Sequence, residues 1–255
     1  ILGEGADKNL EAISAFSASN IGNYYISSKF AKSKESEIYK AWAWGNYNYQ
    51  SKSKKNLLYV KEQKELEFLT FYSDCINFSR DLINSPANKL NPSTYYSKIK
   101  NNNLFKSFNF IDYTEKEINS NFPLTCAVGK SSSSKPKVIE ITNRKLSKKD
   151  KPLVIIGKGV TFDTGGVNIK PGTSMRNMKK DMGGSAIAIS LFLLANYFLK
   201  KTKIVLIAPI AENAISSKSM RPGDVYSSVS GKSVEIAHTD AEGRLLLADA
   251  IEKAS

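Results

Sequence analysis

The segment from His238 to Leu245 carries the side chains best suited to chemistry. It reads His-Thr-Asp-Ala-Glu-Gly-Arg-Leu and opens an apolar helical pattern. The irregular backbone of a helix-opening turn can direct Asp240, Glu242 and Arg244 into one shared space. The ordinary alternative is a charge pattern in which the acids complement the positive end of the helix dipole. The segment alone does not decide between these interpretations.

A second acidic constellation lies upstream, again where a strand gives way to a turn. Residues 151–156 form a short apolar run bounded by breakers, which predicts a buried strand. A glycine-rich turn with Asp163 follows, and Asp181 comes just before an apolar helical pattern. Ligands of α/β sheets bind at the carboxyl ends of the strands. We therefore expect these two acids to converge with Asp240 and Glu242.

Four carboxylates in one partly buried cavity repel one another strongly. Protonation would relieve the repulsion, and divalent cations would relieve it while also ordering the loops. The chain has one histidine and two cysteines, so the metal ligands would be mainly oxygen atoms. Such a set suits Mg²⁺ or Mn²⁺, and Zn²⁺ also accepts carboxylates.

Three segments together resemble the cytosolic leucyl aminopeptidases, a family of two-metal metallopeptidases. They read GKGVTFDTGGVNIKP, KKDMGGSAIA and HTDAEGRLLLADA. The family signature is Asn-Thr-Asp-Ala-Glu-Gly-Arg-Leu, and this chain differs only at its first position, where His238 stands. The resemblance extends from about residue 57 to the end of the chain.

The fold predicted from the patterns and the resemblance is α/β, with a mostly parallel mixed sheet flanked by helices. Strand, helix, strand and helix follow one another after residue 150, an order typical of a parallel sheet. We assign residues 62–255 to the metallopeptidase catalytic domain, incomplete at its C-terminus. Residues 1–61 are assigned to the remnant of a smaller N-terminal α/β domain. Within these ranges, residues 6–31 and 62–83 each predict a helix.

The resemblance also implies metal-binding roles for five residues. Asp163 and Glu242 would bridge two divalent ions. Asp240 would bind the more loosely held ion, whereas Asp181 and the amine of Lys158 would bind the tighter one. A lysine binds a metal only as the neutral amine, so the cations must lower its pKa. The implied ions are Zn²⁺ or Mn²⁺, with Mg²⁺ as an alternative.

Two further residues complete the chemistry that the resemblance implies. Lys170 would polarise the scissile carbonyl and then stabilise the oxyanion. Arg244 would hold a bicarbonate ion, which acts as general base towards the attacking water. His238 has two interpretations, a third metal contact or a structural substitute for asparagine that hydrogen-bonds nearby backbone. The structural interpretation is favoured because the implied ligand set is complete without His238.

The implied function is a leucyl-type metallo-aminopeptidase. Such an enzyme removes the N-terminal residue, preferably leucine or another hydrophobic residue, from peptides with a free N-terminus. The resemblance implies a cytoplasmic homohexamer for the full-length protein. The alternative is a DNA-binding or structural role for a protein of this fold, with the present stretch of chain inactive.

Composition limits the other classes of function. The chain carries a formal net charge of +13, which raises the question of nucleic acid, but the excess is spread along the sequence. Its densest part, residues 130–151, encloses an apolar strand pattern. We expect a hairpin there with solvated lysine-rich loops, and no nucleic acid as partner. The longest apolar run, residues 186–199, is too short to span a bilayer, so no membrane is expected.

Overall fold

The structure, a computed structural model, describes residues 9–19, 22–26, 32–49, 56–147 and 149–255. The chain divides into two compact units, one ending at Phe78 and the other beginning at Ser79. The predicted α/β class, a mixed sheet flanked by helices, is confirmed. The assignment of residues 1–61 and 62–255 to two domains stays a prediction.

The described residues of the first unit before Gln63 form two helices and two very short strands that pair in parallel. These are α1 (Leu10–Ser19), β1 (Asn23–Tyr24), α2 (Lys32–Gly45) and β2 (Leu57–Leu58). The two helices approach closely, because a Cβ atom on Gly45 would lie 1.8 Å from the carbonyl oxygen of Ser14. A core of Ile13, Ile38 and Trp42 fills the space between them.

The helix predicted over residues 6–31 is wrong for residues 22–26, which are not helical, whereas residues 6–8, 20–21 and 27–31 lie outside the described residues. In the described residues α1 ends at Ser19 and β1 begins at Asn23. Gly22 lies just before that strand, and glycine is unfavourable inside a helix because it gives up the most backbone freedom. The helix predicted over residues 62–83 is confirmed as α3 (Gln63–Asn84).

The second unit surrounds a five-stranded sheet. Its strands are β3 (Asn109–Ile111), β4 (Lys137–Thr142), β5 (Leu153–Ile156), β6 (Gly159–Asp163) and β7 (Ile204–Asn213). The helices are α4 (Pro92–Lys100), α5 (Glu115–Asn121), α6 (Pro123–Gly129), the single turn α7 (Gly172–Met175), α8 (Gly183–Phe198) and α9 (Gly243–Ala254). An antiparallel pair, β8 (Val225–Ser227) and β9 (Ser233–Glu235), precedes α9. Short 3₁₀ turns occupy Asn103–Phe105, Met178–Met182 and Thr239–Ala241.

β7 is the strand to which most of the sheet is attached. On one side it pairs antiparallel with β4, which in turn pairs antiparallel with β3. On the other side it pairs in parallel, first with β5 and then with β6. The sheet is therefore mixed, with equal numbers of parallel and antiparallel pairings among the described strands. Helices α6, α8 and α9 pack against β7, which is buried along almost its whole length.

The basic stretch over residues 130–151 does not form the predicted hairpin. Its strand, β4, lies between β3 and β7 and not beside a neighbour within that stretch. The side chains of Val138, Ile139 and Ile141 are all buried, so this strand belongs to the interior of the sheet. The basic residues after it, including Arg144 and Lys145, are exposed as expected.

Helix α8 is a core helix of this unit. Together with the turn before it, the segment Met178–Phe198 is long and apolar enough to cross a membrane by length and composition alone. Its buried side chains, among them Ala186, Ile189 and Phe192, face the protein interior, and the helix contacts β5, β6 and β7. These contacts bury one face of the helix, whereas Ile187, Leu191 and Phe198 are exposed.

The ladder between β7 and its parallel partners is interrupted opposite Pro209. β5 ends at the partner of Ile207, and β6 begins at the partner of Ile210, so Lys158 lies across from the proline. The carbonyl of Ile207 accepts a hydrogen bond from Gly157 N at 3.1 Å. Alternate residues of a strand direct their backbone N–H and C=O groups to the same side. The backbone of Pro209, two residues after Ile207, therefore also faces β5 and β6. Proline has no N–H to donate, so the carbonyl of Gly157, which faces β7 as Gly157 N does, receives no ladder hydrogen bond from Pro209.

Asp249 on α9 caps the start of α6 from inside the protein. Its Oδ2 accepts hydrogen bonds from Thr125 N at 2.7 Å and from Thr125 Oγ1 at 2.8 Å. Thr125 lies in the first turn of α6, where backbone N–H groups lack partners within the helix. Burial raises the pKa of Asp249, and the hydrogen bonds from Thr125 oppose that shift only in part.

Replacing Asp249 with asparagine should change how stability depends on pH. A carboxyl group with a raised native pKa binds more protons in the folded state, so its contribution to stability falls as pH rises above its unfolded pKa of about 3.9. In Asp249→Asn an acceptor for Thr125 remains but the titration is lost. The melting temperature of the variant minus that of the wild type should increase from about pH 4 to about pH 7. Thermal unfolding at constant ionic strength measures this, and a difference that stays flat or decreases would contradict the role assigned to burial.

Candidate metal centre

Four acidic side chains meet where β6 ends and where α8 and α9 begin. Asp163 is the last residue of β6, Asp181 lies in the turn before α8, and Asp240 and Glu242 lie in the turn before α9. One carboxylate oxygen each from Asp163, Asp181 and Glu242 lies within 4.8 Å of the others. Asp240 joins them through a lysine that it shares with Asp163. The structure thus brings together all four acids that the sequence singled out.

The side chain of Lys158 extends into this cluster from the gap between β5 and β6. Its Nζ lies 2.7 Å from Asp181 Oδ2 and 2.9 Å from Glu242 Oε1. The carbonyl of Lys158 accepts a hydrogen bond from Ser185 N, in the first turn of α8, at 2.8 Å. A Cβ atom on Gly243 would lie 2.4 Å from Lys158 Cε. The glycine at the start of α9 therefore leaves the space that the lysine side chain occupies.

Lys170 stands on the opposite side of the cluster. Its Nζ lies 3.0 Å from Asp163 Oδ2 and also forms an ion pair with Asp240. The loop from β6 to Lys170 turns through Gly165 and Gly166, whose φ angles are +86° and +66°. Residues with a side chain rarely adopt these backbone angles, so the turn that brings Lys170 close to Asp163 depends on glycine.

The charges in the cluster are only partly balanced. Two ammonium groups among four carboxylates leave a net charge of −2. Burial raises the pKa of Asp181 and of Glu242, and the charge of Asp163 raises both further. Burial by itself lowers the pKa of Lys158, but its carboxylate partners Asp181 and Glu242 outweigh this and hold that pKa above its usual value. A neutral Lys158 amine therefore requires cations close enough to displace its proton.

One carboxylate oxygen in the cluster indicates that a cation binds there. Glu242 is only 1% exposed, and its Oε1 pairs with Lys158. Its Oε2 is buried and has no hydrogen-bond partner among the described residues. A buried, unpaired carboxylate oxygen is costly unless a cation compensates it. Carboxylate oxygens with one amine suit Mg²⁺, Mn²⁺ or Zn²⁺, so the residues present fit a divalent metal centre.

Arg244 and His238, the other two candidate residues singled out in the signature, differ in their surroundings. Arg244 is exposed on the first turn of α9, and its guanidinium forms no ion pair with the part of the chain that the structure describes. His238 caps the turn before α9, because its Nδ1 accepts a hydrogen bond from Asp240 N at 3.1 Å. This contact agrees with the structural interpretation of His238.

Two residues at the centre were not identified from the sequence. Asn213 ends β7, and its Nδ2 donates to Asp163 Oδ1 at 2.8 Å and to the Thr239 carbonyl at 3.1 Å. Thr239 Oγ1 donates in turn to the Gly165 carbonyl at 2.5 Å. Asn213 had one available signal, since it is a polar residue at the end of a buried apolar strand, as Asp163 is.

Comparison with known proteins identifies the family. The model of the cytosol aminopeptidase family, catalytic domain, matches residues 77–255. The chain belongs to the cytosol aminopeptidase family. Proteins of this family are metal-dependent aminopeptidases, which agrees with an acidic cluster that fits divalent cations.

Bacterial proteins named probable cytosol aminopeptidase resemble the chain over most of its length. The one from Corynebacterium glutamicum is 42% identical over 184 residues, which are 71% of this chain and 36% of that protein. The one from Corynebacterium diphtheriae is 37% identical over 229 residues, which are 84% of this chain and 46% of that protein. The chain thus spans less than half the length of these relatives.

Two solved structures share the architecture of this chain. The cytosol aminopeptidase from Coxiella burnetii superposes with a TM-score of 0.84 at 31% identity, covering 96% of this chain and 55% of that one. The bottromycin maturation enzyme BotP in complex with Mn gives a TM-score of 0.84 at 25% identity, covering 98% and 57% of the two chains.

Gly243→Ala should impair metal binding without destabilising the protein. The new methyl group would collide with Lys158 Cε and Nζ, and this flexible side chain would have to move away from Asp181 and Glu242. Alanine is a better helix former than glycine by about 1 kcal/mol, so the melting temperature should hold or rise. We expect the affinity for Mn²⁺ to fall roughly tenfold or more in a calorimetric titration.

Gly172→Ala is the matched control for that change. Gly172 also opens a helix, and a Cβ atom there would meet no atom within 4 Å. The control should bind Mn²⁺ like the wild type. Equal Mn²⁺ affinities in the two alanine variants would show that metal binding does not depend on the space beside Gly243.

Proposed function

We propose that the protein is a leucyl-type metallo-aminopeptidase. It would release the N-terminal residue, preferably leucine or another hydrophobic residue, from peptides by means of two divalent cations. The observation that carries this proposal is the convergence of Asp163, Asp181 and Glu242 within 4.8 Å, between two lysines, in a chain of the cytosol aminopeptidase family. The Mn complex of the neighbour BotP supports the choice of metal.

Each acid has a separate task in this proposal. Asp163 and Glu242, the two most deeply buried, would be shared by both ions, which fits their central position between the other proposed ligands. Asp240 serves the more loosely held ion. Asp181 and the amine of Lys158 serve the tighter one, and their contact at 2.7 Å already places them side by side. Zn²⁺ and Mn²⁺ are the proposed ions, and Mg²⁺ is the alternative.

The cations, when bound, would supply Lewis acidity to the attacking water and to the scissile carbonyl. Lys170 supplies a fixed positive charge, because its ammonium is held between Asp163 and Asp240 at the edge of the cluster. From there it donates a hydrogen bond to the carbonyl oxygen and stabilises the negative charge that develops on it. The free α-amine of a peptide would be held at the same centre, which would restrict cleavage to the first residue.

Arg244 completes the proposed mechanism as an anion holder. Its guanidinium is exposed two residues beyond Glu242 and forms no ion pair with a described residue. A planar guanidinium binds a planar anion through two parallel hydrogen bonds. Bicarbonate held in this way would accept the proton of the attacking water.

The whole protein is proposed to act in the cytoplasm as a homohexamer on peptides with a free N-terminus. The relatives are named cytosol aminopeptidases, which supports the location. Residues 1–61 are proposed to belong to a separate N-terminal domain. The matched relatives are more than twice as long as the stretch aligned here, so activity is best measured on the full-length protein.

Substitutions of Lys170 and Asp163 should separate catalysis from metal binding. Lys170→Ala removes the proposed oxyanion donor but no metal ligand, so the rate should fall roughly 10²–10³-fold with metal content retained. Asp163→Ala removes a bridging ligand, so both metal content and hydrolysis should be lost. Metal analysis and hydrolysis of a leucyl amide measure the two properties. Unchanged activity in either variant would refute the assigned roles.

Removal of metal should abolish activity reversibly. We expect a chelator to stop hydrolysis of the leucyl amide by the full-length protein, and Mn²⁺ or Zn²⁺ to restore it. The melting temperature should fall on chelation, because a ligand that binds only the native state stabilises it. Cleavage that continues in the presence of chelator would rule out the proposed mechanism.

A further inference from the structure

Asn213 lies between two halves of the candidate metal centre and contacts both. One half is the strand end that carries Asp163, and the other is the turn that carries Asp240. It is the last residue of β7, stands in register with Asp163, and is only 2% exposed. Its Nδ2 donates to Asp163 Oδ1 at 2.8 Å and to the Thr239 carbonyl at 3.1 Å. An amide nitrogen carries two hydrogens, so each half of the centre receives one of them.

The contact with Asp163 determines how that carboxylate is turned. Oδ1 accepts hydrogen bonds from Asn213 Nδ2 and also from Gly165 N, both at 2.8 Å. Two donors on one oxygen fix the rotation of the carboxylate group. Oδ2 is thereby directed towards Lys170, whose Nζ lies 3.0 Å away and also pairs with Asp240.

The contact with Thr239 determines the position of the turn that carries Asp240. Thr239 is fully buried and immediately precedes Asp240. Its hydroxyl donates to the Gly165 carbonyl at 2.5 Å, and its N–H donates to Asn168 Oδ1 at 2.8 Å. The carbonyl of Thr239 is held by Asn213 in the same way. One side chain therefore links the turn that carries Asp240 to the strand end that carries Asp163.

We propose that Asn213 is a positioning residue for the metal centre. It orients Asp163 and sets the distance between that carboxylate and the turn before α9. The proposal rests on the proposed function, because it takes the acids of the cluster as metal ligands. Partners that hydrogen-bond to ligands typically contribute roughly 10–100-fold to metal affinity, because they hold each ligand in the productive orientation.

The test compares Asn213→Leu with Asn143→Leu in the full-length protein. Leucine is close to asparagine in size and donates no hydrogen bond. Asn143 is a matched control at the other end of β7, where its Nδ2 donates to Asn196 Oδ1 at 3.1 Å and to the Thr202 carbonyl at 2.9 Å. Both substitutions remove an asparagine that joins two segments, so both should lower the melting temperature. Only Asn213→Leu should weaken Mn²⁺ binding in a calorimetric titration, by roughly 10–100-fold in Kd.

Kinetics at saturating Mn²⁺ provide a second measurement. For a leucyl amide, Asn213→Leu should lower kcat more than it changes KM, because it alters the geometry of the ligands and not the contacts with substrate. Wild-type Kd and kcat in Asn213→Leu, or an equal loss of Mn²⁺ affinity in Asn143→Leu, would overturn the proposal. If the leucine variant fails to fold, Asn213→Ser takes its place with the same expected results, because its short hydroxyl cannot reach both acceptors. A wild-type protein that binds no Mn²⁺ would instead refute the proposed function, and this inference with it.

Discussion

Mutual repulsion among four carboxylates is the constraint on which the rest of the second unit depends. Asp163, Asp181 and Glu242 approach within 4.8 Å, at a site where water can screen their charges only weakly. Two lysine ammonium groups offset part of the charge, one from each side of the cluster. The remaining negative charge has to be held in place by the surrounding fold, and it is this charge that makes the cluster suitable for divalent cations.

The surrounding fold opposes the repulsion by attaching every acid of the cluster to β7 or to a segment that contacts β7. β7 carries β6 along one edge, and its last residue, Asn213, is hydrogen-bonded to Asp163 and to Thr239. Helices α8 and α9, which begin beside the cluster, also pack against β7. The acids thus cannot move apart without breaking contacts with a buried central strand.

The sequence predicted the acidic cluster well because its signal is local. Each acid follows a buried strand or precedes a helix, and such positions meet at one edge of an α/β sheet. The hairpin expected in the basic stretch was wrong because β4 pairs with β7, and a pairing between distant segments leaves no local pattern. The role of Asn213 was missed for a related reason, since its contacts with Asp163 and Thr239 depend on strand register and on a turn far along the chain.

Pro209 has a consequence for the alignment of the sheet. If the parallel pairing slipped along β7, the missing donor would face a residue of β5 or β6 in place of Lys158, and an interior strand would lose a hydrogen bond with no water to replace it. In the native alignment the missing donor lies opposite Gly157 and Lys158, in the gap between β5 and β6 where the ladder is already interrupted. A proline inside the sheet thus discriminates against shifted pairings. The gap that holds the proline is also the place where the side chain of Lys158 leaves the sheet and enters the cluster.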